Sequence, residues 1–147
     1  MDEYAKDYAV RYKARQEEKN SQIRLEIKRK QTLDTAIPGL WEQLRTWLIE
    51  MCARINAQFS EPILSVNKSH PSQLAIEQKN PSSKLIIEIV PQEHRFHLAY
   101  GRGCSGTLNV DTDEAGVVCV LDETGRRMYQ IEEIGTKLME MLEQSCA

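Results

Sequence analysis

The sequence predicts an α+β fold: N-terminal helices, an antiparallel β-meander of five or six strands, and a C-terminal helix packed on one face of the sheet. Three observations lead to this fold class. Residues 37–59 have helical periodicity, residues 63–121 break into short β-prone runs, and residues 131–144 return to helical periodicity. The links between the runs are too short for parallel crossovers, so the strands must be antiparallel.

Composition indicates a folded protein with one main domain. The chain has 147 residues, of which 41% are hydrophobic and 28% are charged, and these values exclude wholesale disorder. The N-terminus carries charge from its second residue, and no apolar run approaches the roughly 18 residues that would cross a bilayer. We therefore expect a cytoplasmic protein with no membrane partner. We also expect Cys52, Cys104, Cys119 and Cys146 to be free thiols, with Cys52 and Cys119 buried.

Charge divides the chain into two parts. Residues 1–30 hold nine Lys or Arg against six Asp or Glu, whereas residues 31–147 hold ten against sixteen. The pattern predicts a basic helical arm, residues 1–32, attached to a single acidic α+β domain, residues 33–147. Within the arm, Tyr4, Tyr8 and Tyr12 have i, i+4, i+8 spacing, which predicts a helix that begins near residue 3.

The second half of the arm is ambiguous. Ile23, Leu25 and Ile27 alternate with charged residues, which is typical of a strand, although Ile23 and Ile27 alone would suit a helix. The abundance of Glu, Lys, Arg and Gln favours continued helix over residues 22–29, and the strand interpretation stays open.

The next helix is the strongest periodic segment of the chain. Pro38 lies near its predicted first turn, and Ser60 and Pro62 follow its end. The residues that share its apolar face are Leu40, Trp41, Leu44, Trp47, Leu48, Met51, Ile55 and Phe59.

The predicted strands follow, separated by turn residues. Their ranges are 63–66, 73–77, 84–90, 94–100, 107–110 and 116–121. In the closing helix, Ile134, Leu138, Met141 and Leu142 share an apolar face that can cover the sheet.

Gly101, Gly103 and Gly106 spell G-x-G-x-x-G after a predicted strand, as in a dinucleotide-binding turn. That site requires a helix directly after the glycines, because the pyrophosphate rests on the helix N-terminus. Here a strand pattern follows, so we predict a glycine-rich hairpin turn and no cofactor.

Two other patterns are similar to metal sites, but each is better explained without a bound metal ion. Residues 111–116 resemble the first half of a calcium loop, but Ala115 replaces an oxygen ligand, so we expect a polar turn. His94 and His97 are three residues apart on a predicted strand, so their side chains point to opposite faces and cannot readily chelate one ion.

No catalytic constellation is visible, and we expect a non-enzymatic interaction or oligomerisation module. The arm would contact a second copy or another protein. The candidate interaction residues are Tyr4, Tyr8, Tyr12, Arg11, Arg15, Arg24 and Lys28. Two alternatives stay open: a small-molecule binder with a cavity between sheet and helix, and a nucleic-acid binder that uses the basic arm.

Overall fold

The computed structural model describes residues 2–146 and contains a long helix, a seven-stranded sheet and a short closing helix. The helices are α1, Asp2–Asn56, and α2, Ile131–Met141. The strands are β1 Leu64–Asn67, β2 Gln73–Gln78, β3 Ser83–Val90, β4 Arg95–Gly101, β5 Cys104–Thr112, β6 Val118–Leu121 and β7 Arg127–Met128. All neighbouring strands are antiparallel and lie in chain order, which confirms the predicted meander and fold class.

A single helix stands where two were expected. Helix α1 runs for 55 residues and passes through Pro38, which was predicted to mark the first turn of a second helix. An internal proline costs about 3 kcal/mol, because its ring removes the hydrogen bond to the carbonyl four residues earlier. Leu33, Ile37 and Trp41 are buried on both sides of this position, and that packing holds the helix together across the defect.

The chain divides between Thr32 and Leu33 into two compact units. In the first unit all described residues, 2–32, are helical, and residues 2–28 are exposed. The second unit contains the hydrophobic core, which extends from Leu33 to Leu142 and combines both helices with one face of the sheet.

The alternation of residues along the strands decides which side of the sheet is buried. Leu74, Ile87 and Leu98 lie opposite one another on β2, β3 and β4, and all three are buried against the helices. Ala75 and Ile86, one position along, lie on the other face and are only half-buried. One face of the sheet therefore forms the core.

Two strands differ from the prediction. Strand β5 begins at Cys104 and not at the predicted residue 107. Gly106 therefore lies within the strand, and only Arg102 and Gly103 separate β4 from β5. The seventh strand, β7, has two residues, which is too short to produce a recognisable alternation in the sequence.

The chain reverses at Arg102 and Gly103 in a hairpin turn, as predicted from the glycines, and this end of the sheet also binds the C-terminal residues. The Arg102 N–H donates to the Gln144 carbonyl at 2.9 Å, and the Ser83 hydroxyl donates to the Leu142 carbonyl. Gly101 has φ +59°, and a Cβ at this position would overlap the Gln144 carbonyl oxygen. Gly101 is therefore required by the close approach of residues 142–146.

The expectation of four free thiols was wrong for one pair. Cys104 and Cys146 form a disulfide, with their Cα atoms 5.3 Å apart and a separation of 42 positions in sequence. The fold brings the C-terminal residues to the start of β5, a proximity that sequence spacing does not reveal. Cys52 and Cys119 are free and buried, as predicted, and burial raises the pKa of the Cys52 thiol to about 11.

We predict that Gly101→Ala lowers the free energy of unfolding by about 2–4 kcal/mol, because it combines a left-handed backbone with a clash against the C-terminal residues. Gly103→Ala is the matched control, since Gly103 has φ +88° but nothing lies within 4 Å of the added Cβ. We expect the control to lose only about 1–2 kcal/mol in urea denaturation. Equal losses in the two variants would contradict the proposed close approach.

We also predict a graded reactivity of the cysteines toward iodoacetamide at pH 8. The thiolate is the reactive form, so a buried thiol with a raised pKa labels slowly. Without reductant the folded protein should label negligibly; after reduction, the exposed Cys146 should label first, and Cys52 and Cys119 should label only on unfolding. Mass spectrometry of the labelled peptides measures this order, and rapid labelling of Cys146 before reduction would show that the disulfide does not form.

Candidate functional site

The described part of the arm, residues 2–32, is helical and contains no buried residue of its own. An isolated helix is marginal in water, so its stability must come from helix-forming residues and from side-chain pairs one turn apart. Asp7 precedes Arg11 and Glu26 precedes Lys30 by four residues, which is the favourable order for such pairs. Asp2 and Glu3 lie in the first turn, where negative charge complements the helix dipole.

Five of the seven candidate interaction residues lie on one side of this helix. With a rotation of about 100° per residue, these five side chains fall within an arc of about 100° around the helix. We name this set the tyrosine face; its members are Tyr4, Tyr8, Tyr12, Arg11 and Arg15. The Tyr4 and Tyr8 ring centroids are 6.4 Å apart, and the Arg11 guanidinium carbon lies 5.9 Å from the Tyr4 ring centroid. The three tyrosines are 68%, 51% and 51% exposed in chain order, so substantial aromatic surface faces solvent.

The other two candidates lie elsewhere. Arg24 and Lys28 fall about 160–200° around the helix from Tyr8, on the opposite side of the arm. The Arg24 Nε donates to the Asn20 carbonyl at 3.4 Å, and the Lys28 carbonyl accepts from the Thr32 hydroxyl at 2.9 Å. The structure therefore does not join them to the tyrosine face.

Residues 22–29 are helical, which confirms the favoured interpretation of this segment and excludes the strand alternative. In a helix, Ile23 and Ile27 share one side, while Leu25 points away from both. All three side chains are about half or more exposed.

The larger domain carries an open apolar cleft between α1 and α2 that sequence reasoning missed. Its volume is about 430 Å³, and it is lined by Trp47, Met51 and Ile55 of α1 and by Met139 of α2. Phe59, just beyond α1, also lines it and is 51% exposed. The sequence did contain a signal for this cleft. The predicted apolar face continues through Met51, Ile55 and Phe59, and none of these three residues is fully buried in the core.

The helices approach closely beside this cleft. A Cβ at Gly135 of α2 would overlap the Trp47 ring, so the absence of a side chain there lets the indole lie against α2. The Trp47 side chain is only partly buried by this contact, and its remaining surface lines the cleft. The second tryptophan, Trp41, is a core residue whose indole N–H donates to the Pro71 carbonyl at 2.7 Å.

The acidic excess of the domain is concentrated in one segment toward its C-terminal end. Residues 31–110 hold seven acidic and seven basic residues, whereas residues 111–143, here named the acidic half, hold nine acidic and three basic. Glu140 and Glu143, both exposed, belong to the acidic half and line the α1–α2 cleft. The cleft therefore combines an apolar floor with a negatively charged rim.

The calcium-like segment is a polar turn, as predicted. The Asp113 carboxylate accepts hydrogen bonds from the N–H groups of Ala115 and Val117, both at 2.9 Å, and from the Tyr129 hydroxyl at 2.8 Å. The Val117 N–H contributes most to holding the pKa of Asp113 below its usual value, and the Tyr129 hydroxyl acts in the same direction. This carboxylate is thus occupied by hydrogen bonds from the turn and from Tyr129.

The two histidines have different partners, but the reason differs from the prediction, because His94 adopts a left-handed backbone conformation before β4 and lies outside the strand. His94 Nε2 lies 2.8 Å from an Asp34 carboxylate oxygen, while His97 Nε2 lies 3.1 Å from Glu93 on the exposed side of the sheet. Across residues 2–146, His, Cys, Asp and Glu side chains nowhere gather in a group of three or more that could hold a metal ion.

Comparison of the chain with protein-family models, curated proteins and solved structures finds no significant match. Among residues 2–146, no helix contains an apolar stretch long enough to cross a membrane.

Proposed function

We propose that this protein is a non-enzymatic self-association module whose arm is the interaction element. The observation that carries the proposal is the helix over residues 2–28, in which no described residue is buried and three tyrosines share one exposed face. Tyrosine is enriched at protein interfaces because its ring can be buried while its hydroxyl stays hydrated.

The energetics of the arm support a bound role. A helix that packs against nothing gains only about 0.2–0.5 kcal/mol from each charged pair one turn apart. Docking on a partner adds the burial of aromatic surface, about 25 cal/mol per Å² of apolar area removed from water. The tyrosine face therefore has more to gain from a partner than the isolated helix gains from its own side-chain pairs.

Charge favours a second copy as that partner. The arm is basic, and the domain of the same chain carries its acidic excess in one region, the acidic half. Opposite potentials on one molecule favour association between copies, because each copy offers both complementary surfaces.

Nucleic-acid binding is the second candidate, and the side of the arm that carries Arg24 and Lys28 favours it. Lys6 and Lys13 fall on the same side by helical geometry, so a basic stripe could follow phosphates. Glu17 interrupts that stripe, and the acidic half would repel a polyanion. We therefore rank self-association first.

We predict that the combined substitutions Tyr4→Ser, Tyr8→Ser and Tyr12→Ser weaken self-association at least about tenfold, because they remove the aromatic surface. Size-exclusion chromatography with light scattering should show the full-length protein above its monomer mass of 16.9 kDa and the triple variant at that mass. The control Arg24→Glu with Lys28→Glu changes the opposite side of the arm and should leave the mass unchanged. A full-length protein that stays monomeric at high concentration would refute the proposal.

A further inference from the structure

The tyrosine face and the α1–α2 cleft have matching dimensions. Tyr4, Tyr8 and Tyr12 recur every four residues over about 12 Å of helix, at 1.5 Å per residue. On the floor of the cleft, Trp47, Met51 and Ile55 recur with the same spacing over the same length. Two helical stripes of equal period can interdigitate, as an amphipathic helix does in an apolar groove.

The two surfaces also have opposite charge. Arg11 and Arg15 flank the tyrosines, while Glu140 and Glu143 stand at the rim of the cleft. An arm seated with its rings on the apolar floor can place guanidinium groups beside these carboxylates, where arginine forms paired hydrogen bonds. Charge at the rim then selects the partner, and the aromatic surface supplies most of the binding free energy.

The area available indicates reciprocal docking. A fully buried aromatic side chain removes about 150–250 Å² from water, so tyrosines that are half exposed still offer roughly 100 Å² each. One arm with its matching cleft surface then buries roughly 600 Å², which is the size of a weak crystal contact. Two arms exchanged between two copies bury roughly 1,200 Å², the lower limit of a specific interface.

We propose that the tyrosine face of one copy docks in the α1–α2 cleft of a second copy, and that the second arm docks reciprocally to close a two-fold dimer. This inference rests on the proposed function and goes further by naming the receiving site. An isologous pair of contacts buries both arms and leaves neither cleft open.

Direct pairing of two arms is the competing arrangement. It would bring Arg11 and Arg15 of both copies toward one another, and like charges across an interface cost several kcal/mol. The cleft offers carboxylates instead, so charge favours the arm-to-cleft contact.

A charge-exchange experiment tests the receiving site in the full-length chain at low ionic strength. One variant carries Arg11→Glu and Arg15→Glu, and a second carries Glu140→Lys and Glu143→Lys. Each variant alone should lose self-association by about tenfold or more, because its arm and cleft now have the same sign. An equal mixture should recover the dimer mass, because each arm then finds a cleft of opposite charge on the other variant.

Controls of equal charge change separate the site from net charge. Arg24→Glu with Lys28→Glu matches the arm variant, and Glu77→Lys with Glu88→Lys on the exposed sheet face matches the cleft variant. Neither control should alter the dimer. All eight positions are exposed, and thermal unfolding by circular dichroism checks that every variant keeps its fold. Glu140→Gln with Glu143→Gln is a milder second variant, and it should weaken the dimer less than the charge reversal.

The outcomes distinguish this inference from the proposed function. Loss in each variant with recovery in the mixture supports arm-to-cleft docking. If self-association depends on the tyrosines but is unaffected by Glu140→Lys with Glu143→Lys, the receiving site is wrong and the proposed function stands. Stronger self-association of an Arg11→Gln, Arg15→Gln variant, which removes the like charges that paired arms would bring together, would show that the arms pair with each other, which also overturns the inference.

Discussion

The packing of α1 against the sheet is the interaction on which the rest of the structure depends. Leu33, Ile37, Leu44 and Leu48 are completely or almost completely buried, and they provide the surface that the inner face of the meander requires. Helix nucleation is costly while propagation adds one hydrogen bond for each residue fixed. A helix already nucleated by core packing can therefore extend into the exposed arm at low cost. The helical conformation of the arm, which we propose as the interaction element, can in this way follow from core packing that begins at Leu33.

The fold class was predictable because periodicity and turn chemistry are local properties. The apolar face that includes Trp41, Leu44 and Leu48 identified the core helix, and turn residues between β-prone runs identified the antiparallel sheet. The second half of β5, after Gly106, was also predictable, and a strand there argues against a dinucleotide-binding turn, which requires a helix. In each case the deciding information lay within about ten residues of the feature.

The missed features depend on residues far apart in sequence. Continuity of α1 through Pro38 needs burial of Ile37 and Trp41 by strands that come later in the chain. The Cys104–Cys146 disulfide needs the C-terminal residues to reach the β4–β5 turn. The cleft has the same character, because Trp47 and Met139 become neighbours only when α2 packs against α1. For the candidate site, sequence spacing identified the tyrosine face but not the surface that we propose receives it.

The most direct test of the account is hydrogen–deuterium exchange of the full-length protein over a range of concentrations. In dilute solution the arm amides should exchange much faster than those of residues 33–56, because only the latter are held by the core. As concentration rises, the account predicts protection that grows together in residues 4–15 and in the cleft segments 47–55 and 136–143. Protection of the arm that does not change with concentration, or that grows without any change at the cleft, would contradict it.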